Sequence, residues 1–189
     1  MKKGVFIPAF AVLVFIGGVT YVSKAYFGIH APTSAQTAAV ETPAAQVQSP
    51  YVVPDLTQPY KNDHFHFSLM MPAGFTAAET DSDGGGKTIV LQDTSDNGIQ
   101  ITVTPFDENI HSLTEERIHQ DVPDLAITDP QPVDIGDNDT GLAFESDNPA
   151  FDGASRDVWF VFRGNLYQIS TYKRLDPLLK AMFSTWKFF

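Results

Sequence analysis

His64 and His66 stand two residues apart in His64-Phe-His-Phe-Ser-Leu-Met70, a run that alternates apolar and polar side chains. Side chains two apart on a β-strand point to one side, so this pair could offer two imidazoles to zinc or copper. A third donor would have to come from His111, His119 or nearby acids. The simpler reading makes both histidines solvent-facing, with Phe65, Phe67 and Leu69 turned inward. A second candidate is Asp134, Asp137 and Asp139, which lead to Gly141; Asp81 and Asp83 lead similarly to a glycine run. Calcium loops use carboxylates at alternating positions and a glycine to make the turn. The full EF-hand pattern with its distal Glu is absent, and Asp and Gly are also ordinary turn residues. The expectation is no cofactor, with weak calcium or zinc binding as the alternative.

Covalent catalysis has less support. There is no Gly-x-Ser-x-Gly elbow. Asp83-Gly-Gly-Gly-Lys87-Thr88 ends in Lys-Thr but lacks the spacing of a phosphate loop, so it reads as a hairpin connection. The 189 residues contain no cysteine. That removes disulfides, thiolate metal sites, a cysteine nucleophile and a lipidated cysteine. Paired carboxylates for glycoside chemistry depend on how the chain folds. Trp159 and Tyr172 could form an aromatic ligand patch, but aromatics at strand spacing more commonly cover a sheet. The expectation is a protein without enzymatic activity.

The charge is one-sided. The whole chain carries a formal -11, and residues 56–189 hold 9 Lys/Arg against 21 Asp/Glu, a difference of -12. That sign is wrong for phosphate backbones, so nucleic acid is excluded as a partner. Between Ile118 and Ser155 there are nine acids and no Lys or Arg. Such a run either docks a basic partner, steering its approach, or simply keeps one face solvated.

The elements that must carry these residues follow from the pattern along the chain. After Met1-Lys-Lys3, the stretch Gly4–Val22 is uncharged and mostly apolar. As a helix it would span about 28 Å, at roughly 1.5 Å per residue, close to a bilayer core. Residues 1–28 therefore read as an N-terminal transmembrane anchor with its start in the cytoplasm. A signal sequence cleaved near Thr33-Ser34-Ala35 is the alternative, and either one exports the rest. Residues 29–58, rich in Ala, Pro, Thr and Gln, read as a disordered linker. Residues 59–189 then form one extracytoplasmic domain.

Within that domain, strands are expected at His64–Met70, Phe75–Thr80, Lys87–Gln92, Ile99–Phe106, Gln131–Ile135 and Gly141–Glu145, with a last short one at Thr185–Phe189. Thr114 should cap a helix that runs to Asp121, and Asp176-Pro177 should start a second, with Asp176 as its cap. The strongest signal is Asp157–Tyr172, two β-rich runs around Gly164-Asn165. With those two residues as the turn, Phe162 faces Tyr167, Phe160 faces Ile169 and Val158 faces Thr171. Both faces of that hairpin carry apolar residues, so it needs cover above and below.

An aromatic strand closing on Met71-Pro72-Ala73-Gly74-Phe75 opens this series. Short antiparallel strands, the Leu113-Thr114 helix, the long aromatic hairpin, a Pro-started helix and Ser184-Thr-Trp-Lys-Phe188 complete it. This order resembles the PsbP-like fold, named for the extrinsic photosystem II subunit and found in many exported bacterial proteins. The resemblance implies an α+β fold in which an antiparallel sheet is covered by short helices as an α/β/α sandwich. It also implies accessory or assembly roles rather than catalysis. The functional expectation is a membrane-tethered interaction module acting on a cell-envelope protein. A divalent-metal-binding protein or metal-dependent enzyme using His64, His66, Asp134, Asp137 and Asp139 is the alternative.

Overall fold

A computed structural model describes residues 51–151 and 153–189. The expected anchor at residues 1–28 and the linker up to residue 50 lie outside the described residues. Regular structure begins at Leu56, so the first three residues of that strand lie inside the stretch read as linker. The strands are β1 (Leu56–Asn62), β2 (Phe67–Pro72), β3 (Thr76–Ser82), β4 (Gly86–Gln92) and β5 (Gly98–Pro105). Helix α1 (Glu115–Asp121) is followed by β6 (Thr128–Gly136), β7 (Asp139–Asn148), β8 (Gly153–Phe162) and β9 (Asn165–Tyr172). Helix α2 (Asp176–Phe183) and the two-residue β10 (Lys187–Phe188) complete the domain.

The strands form two sheets, with every ladder antiparallel. The larger has the order β3-β4-β5-β9-β8-β7-β6 and the smaller β1-β2-β10. The antiparallel sheet with a few short helices agrees with expectation. The separate small sheet does not: the first hairpin and the last strand pair with one another rather than joining the main sheet.

Period-two alternation explains the division into faces. Ile89, Leu91, Ile99, Ile101, Val103, Val158, Phe160, Tyr167 and Ile169 line one side of the main sheet and are buried. Phe67, Leu69 and Met71 of β2 pack on them, with Leu178, Leu179 and Met182 of α2 in the same core. Rings organise its centre: Phe160 stacks on Tyr167 at 4.8 Å, Phe67 on Trp186 at 4.1 Å and Phe162 on Phe188 at 3.9 Å. Each such side chain removed from water is worth about 1.5–3 kcal/mol, which is what holds the small sheet and α2 against the main one. The opposite face is covered over less of its extent. There Leu113 and Ile118 pack on Leu142, Phe144 and Val161 as a second, smaller core.

Both helices start where the sequence suggests. Thr114 caps α1, its side chain accepting from the Arg117 backbone N–H. For α2 the expectation needs correcting. Leu175 occupies the cap position, and Asp176 is already helical. Its carboxylate accepts from Lys180 one turn on at 2.7 Å and faces Arg156 Nε at 3.3 Å. An acid in the first turn still suits the helix dipole.

Two local expectations are overturned. The β8–β9 turn consists of Arg163 and Gly164, so Phe162 lies opposite Asn165, Phe160 opposite Tyr167 and Val158 opposite Ile169. Both turn residues have positive φ, 48° and 73°, as a two-residue turn matched to strand twist demands. Glycine takes the second turn position rather than the first, shifting the register by two. The faces are therefore unchanged while every cross-strand partner changes. The second correction concerns His64 and His66. The chain turns at 63–66 and β2 starts only at Phe67, with His66 at φ 54°. The two imidazoles are thus not neighbours on one face of a strand.

Candidate functional site

A surface depression of about 340 Å³ lies where the loop after β5 meets the turn of the β8–β9 hairpin. Phe106 to His111, Asp139, and Val161 to Gly164 line it. Its polar centre is a pair: His111 Nδ1 lies 2.6 Å from Asp139 Oδ1. Main-chain bonds bring them together. Thr140 N donates to His111 O at 2.8 Å and Leu113 N to Thr140 O at 2.9 Å, so residues 111–113 run beside the start of β7. Asp139 is 13% exposed and His111 68%, so a largely covered carboxylate holds an open imidazole.

A carboxylate on one ring nitrogen orients a histidine for proton transfer or for ligation through the other. Neither use is complete here. The lining residues include no Ser, Thr or Cys to serve as nucleophile. Glu108 is occupied by the Arg117 guanidinium through two bonds of 3.0 and 2.9 Å. Asp107 and the His111–Asp139 pair remain, next to Arg163, whose guanidinium sits 4.9 Å over the Phe162 ring. The arrangement can bind polar or cationic groups of a partner.

The metal candidates are dispersed between a turn and a hairpin. His64 packs edge-on against Phe65 and His66 against Phe189. Asp134 Oδ1 accepts the Gly136 backbone N–H at 2.9 Å. Asp137 and Asn138 form the tight β6–β7 turn with φ of 54° and 65°. Only Asp139 of the five is drawn into the depression. Among the described residues, no three His, Asp or Glu side chains are grouped as a metal ion would need. The partnership of His111 with Asp139 depends on the long-range bridge to β7, and nothing in their spacing of 28 residues announces it.

A second polar cluster is fully inside. Asp157 is 2% exposed and accepts hydroxyls from Ser146 at 2.8 Å, Ser155 at 2.6 Å and Ser170 at 2.5 Å. These come from β7, β8 and β9, whose registers place them on one face. Burial pushes the Asp157 pKa up, against the pull of the three hydroxyls and the Arg156 charge. Neighbouring Arg156 is itself buried and spans from Asp176 of α2, at 3.3 Å, to Asp129 of β6, at 3.9 Å. Both clusters tie strands together, and Arg156 with Asp176 also lines a second depression of about 210 Å³ beside α2.

No protein-family model matches this chain, and no curated protein matches it by sequence. Among solved structures, it is similar to the solution structure of cyanobacterial PsbP (CyanoP) from Synechocystis sp. PCC 6803. The TM-score is 0.46 and the identity 12%, over 70% of this chain and 92% of that one.

Proposed function

We propose that this chain is a membrane-tethered, extracytoplasmic accessory module that acts by binding another cell-envelope protein through its acidic side. In this reading residues 1–28 are the anchor, residues 29–58 the tether, and the domain a PsbP-like sandwich. α2 and the small sheet cover one face of that sandwich, and α1 with its flanking loops covers part of the other. One observation supports it above others. Of the acids between Ile118 and Ser155, Asp121 and Asp124 fall at and just after the end of α1 and Asp129, Asp134, Asp137 and Asp147 on the outer β6–β7 hairpin, and all six are exposed. Among the described residues Asp124, Asp134 and Asp137 have no cationic partner. A concentration of negative charge at one edge steers and selects a basic surface.

The test is a variant with Asp124, Asp134 and Asp137 all changed to Asn in the full-length chain. In-situ cross-linking in the envelope should give a defined partner with the natural chain and lose it with the variant. Recovery of that partner should also fall as salt rises, because exposed charges beyond about 8 Å are screened at physiological ionic strength. Equal capture by both proteins would overturn the acidic edge as the docking surface.

A further inference from the structure

Sheets keep their outer strands from pairing with other chains by proline, charge, bulges or shortness. Three of the four outer strands here use such devices. β6 carries Pro130 and Pro132, two register breaks, and Asp129 at φ 50°. β1 carries Pro59, Lys61 and a register break between Leu56 and Gln58. β10 is two residues long. β3 has no proline and no bulge and is not short, and its only charges are Glu79 and Asp81. Thr76-Ala-Ala-Glu-Thr-Asp-Ser82 pairs with β4 at seven consecutive positions without a break. Its first six residues are exposed, on both faces of the sheet.

The side chains of β3 favour one kind of occupant. Glu79 accepts from Tyr60 Oη at 2.7 Å and from Asn62 Nδ2 at 3.2 Å, while Asp81 accepts from Lys87 at 2.7 Å. Both acids are therefore engaged by their own domain. The alternate positions Thr76, Ala78, Thr80 and Ser82 are small and uncharged, so no charge on that face selects a basic foreign strand. The strand is instead complementary to itself in one register. With a two-fold axis at Ala78, Ala78 meets Ala78 of the second copy, Thr76 meets Thr80, and Ala77 meets Glu79. Threonine pairs across an antiparallel ladder are favourable, and like charges opposed are not. An axis at Glu79 would set Glu79 against itself, and one at Thr80 would set Glu79 against Asp81.

We propose that β3 is a self-association edge, and that a second copy of this chain adds antiparallel to it about an axis at Ala78. The two main sheets then become one continuous sheet, in the isologous arrangement usual for two-fold dimers. On the proposed reading of residues 29–58 as a tether, two chains in one membrane would be able to reach this geometry.

The absence of cysteine makes the test direct. Ala78→Cys in the full-length chain, treated with a short bis-maleimide, should give a covalent dimer as the main product. Thr76→Cys alone should not, because the two thiols would lie about 13 Å apart along the strands at roughly 3.3 Å per residue; Thr80→Cys alone should fail likewise. Mixing the Thr76→Cys and Thr80→Cys proteins should restore the dimer. Gln131→Cys on the proline-guarded β6 measures random collision. Cross-linking of Ala78→Cys no greater than that of Gln131→Cys would overturn the proposal, as would equal yields at all positions. An Ala78→Cys chain that stays monomeric while its thiol is shielded from monofunctional maleimide would also overturn it, and would point to a foreign strand on β3.

Discussion

Asp157 shows how a single buried group shapes the pH response of the domain. Burial raises its pKa above the ordinary 3.8, and the hydroxyls of Ser155, Ser170 and Ser146 with the Arg156 charge only partly offset that. A carboxyl whose folded pKa exceeds its unfolded value binds more protons in the native state. Stability from this group is therefore complete below the unfolded pKa and is lost as pH rises through the folded one. Asp93 works the other way. Burial would raise its pKa, but the bonds from Asn97 and Ser95 prevail and lower it. Its contribution is present above the unfolded pKa and is lost on acidification through the folded one. Replacing Asp157 with Asn keeps an acceptor for the serines and removes the buried charge. Asp157→Asn should raise stability by about 1 kcal/mol at pH 7, with the gain vanishing below pH 3.8. Denaturant melts of both proteins at neutral and acid pH would show it. Equal stability at pH 7 would mean that the three hydroxyls and Arg156 compensate the charge in full.

At the scale of elements, the turn between β8 and β9 sets which residues meet across the centre of the core. Gly164 lies at φ 73°, where a β-branched residue is strained. Gly164→Val should cost about 1–2 kcal/mol, read as a lower denaturation midpoint with an unchanged slope. A larger loss with a changed slope would indicate a slipped register. This turn also marks the limit of what the sequence discloses. Alternation assigned Phe160, Tyr167 and Ile169 to one face correctly, because a shift of two residues preserves parity. The same alternation cannot distinguish Arg163-Gly164 from Gly164-Asn165 as the turn, and so it mispaired every rung. The α1 cap was legible because Thr114 and the acids after it act locally. His64 and His66 misled because the alternation runs past the true start of β2, and a turn at 63–66 can tuck Phe65 inward as a strand would. The β2–β10 pairing and the His111–Asp139 pair were not legible, since both are made by contacts between residues distant in sequence.

For the whole molecule the decisive quantity is charge. Residues 56–189 carry -12, and Asp124, Asp134 and Asp137 crowd one edge without cationic partners among the described residues. Salt weakens this repulsion. It also weakens the exposed pairs Lys87–Asp81, Lys173–Glu145 and Lys180–Asp176, but such pairs are worth only about 0–1 kcal/mol each. Self-repulsion of a strongly one-signed domain should therefore outweigh them. The thermal midpoint should rise as sodium chloride is increased from low to moderate concentration, and chloride and sulfate should act in the same direction. Association through β3 should strengthen over the same range, because it brings two negative domains together through a strand whose acids are already engaged. Binding to a basic partner through the β6–β7 edge should weaken instead. Opposite salt responses at the two edges of one sheet would separate self-association from partner docking. A midpoint that falls with salt would show that the surface pairs, rather than the net charge, govern the electrostatics of this domain.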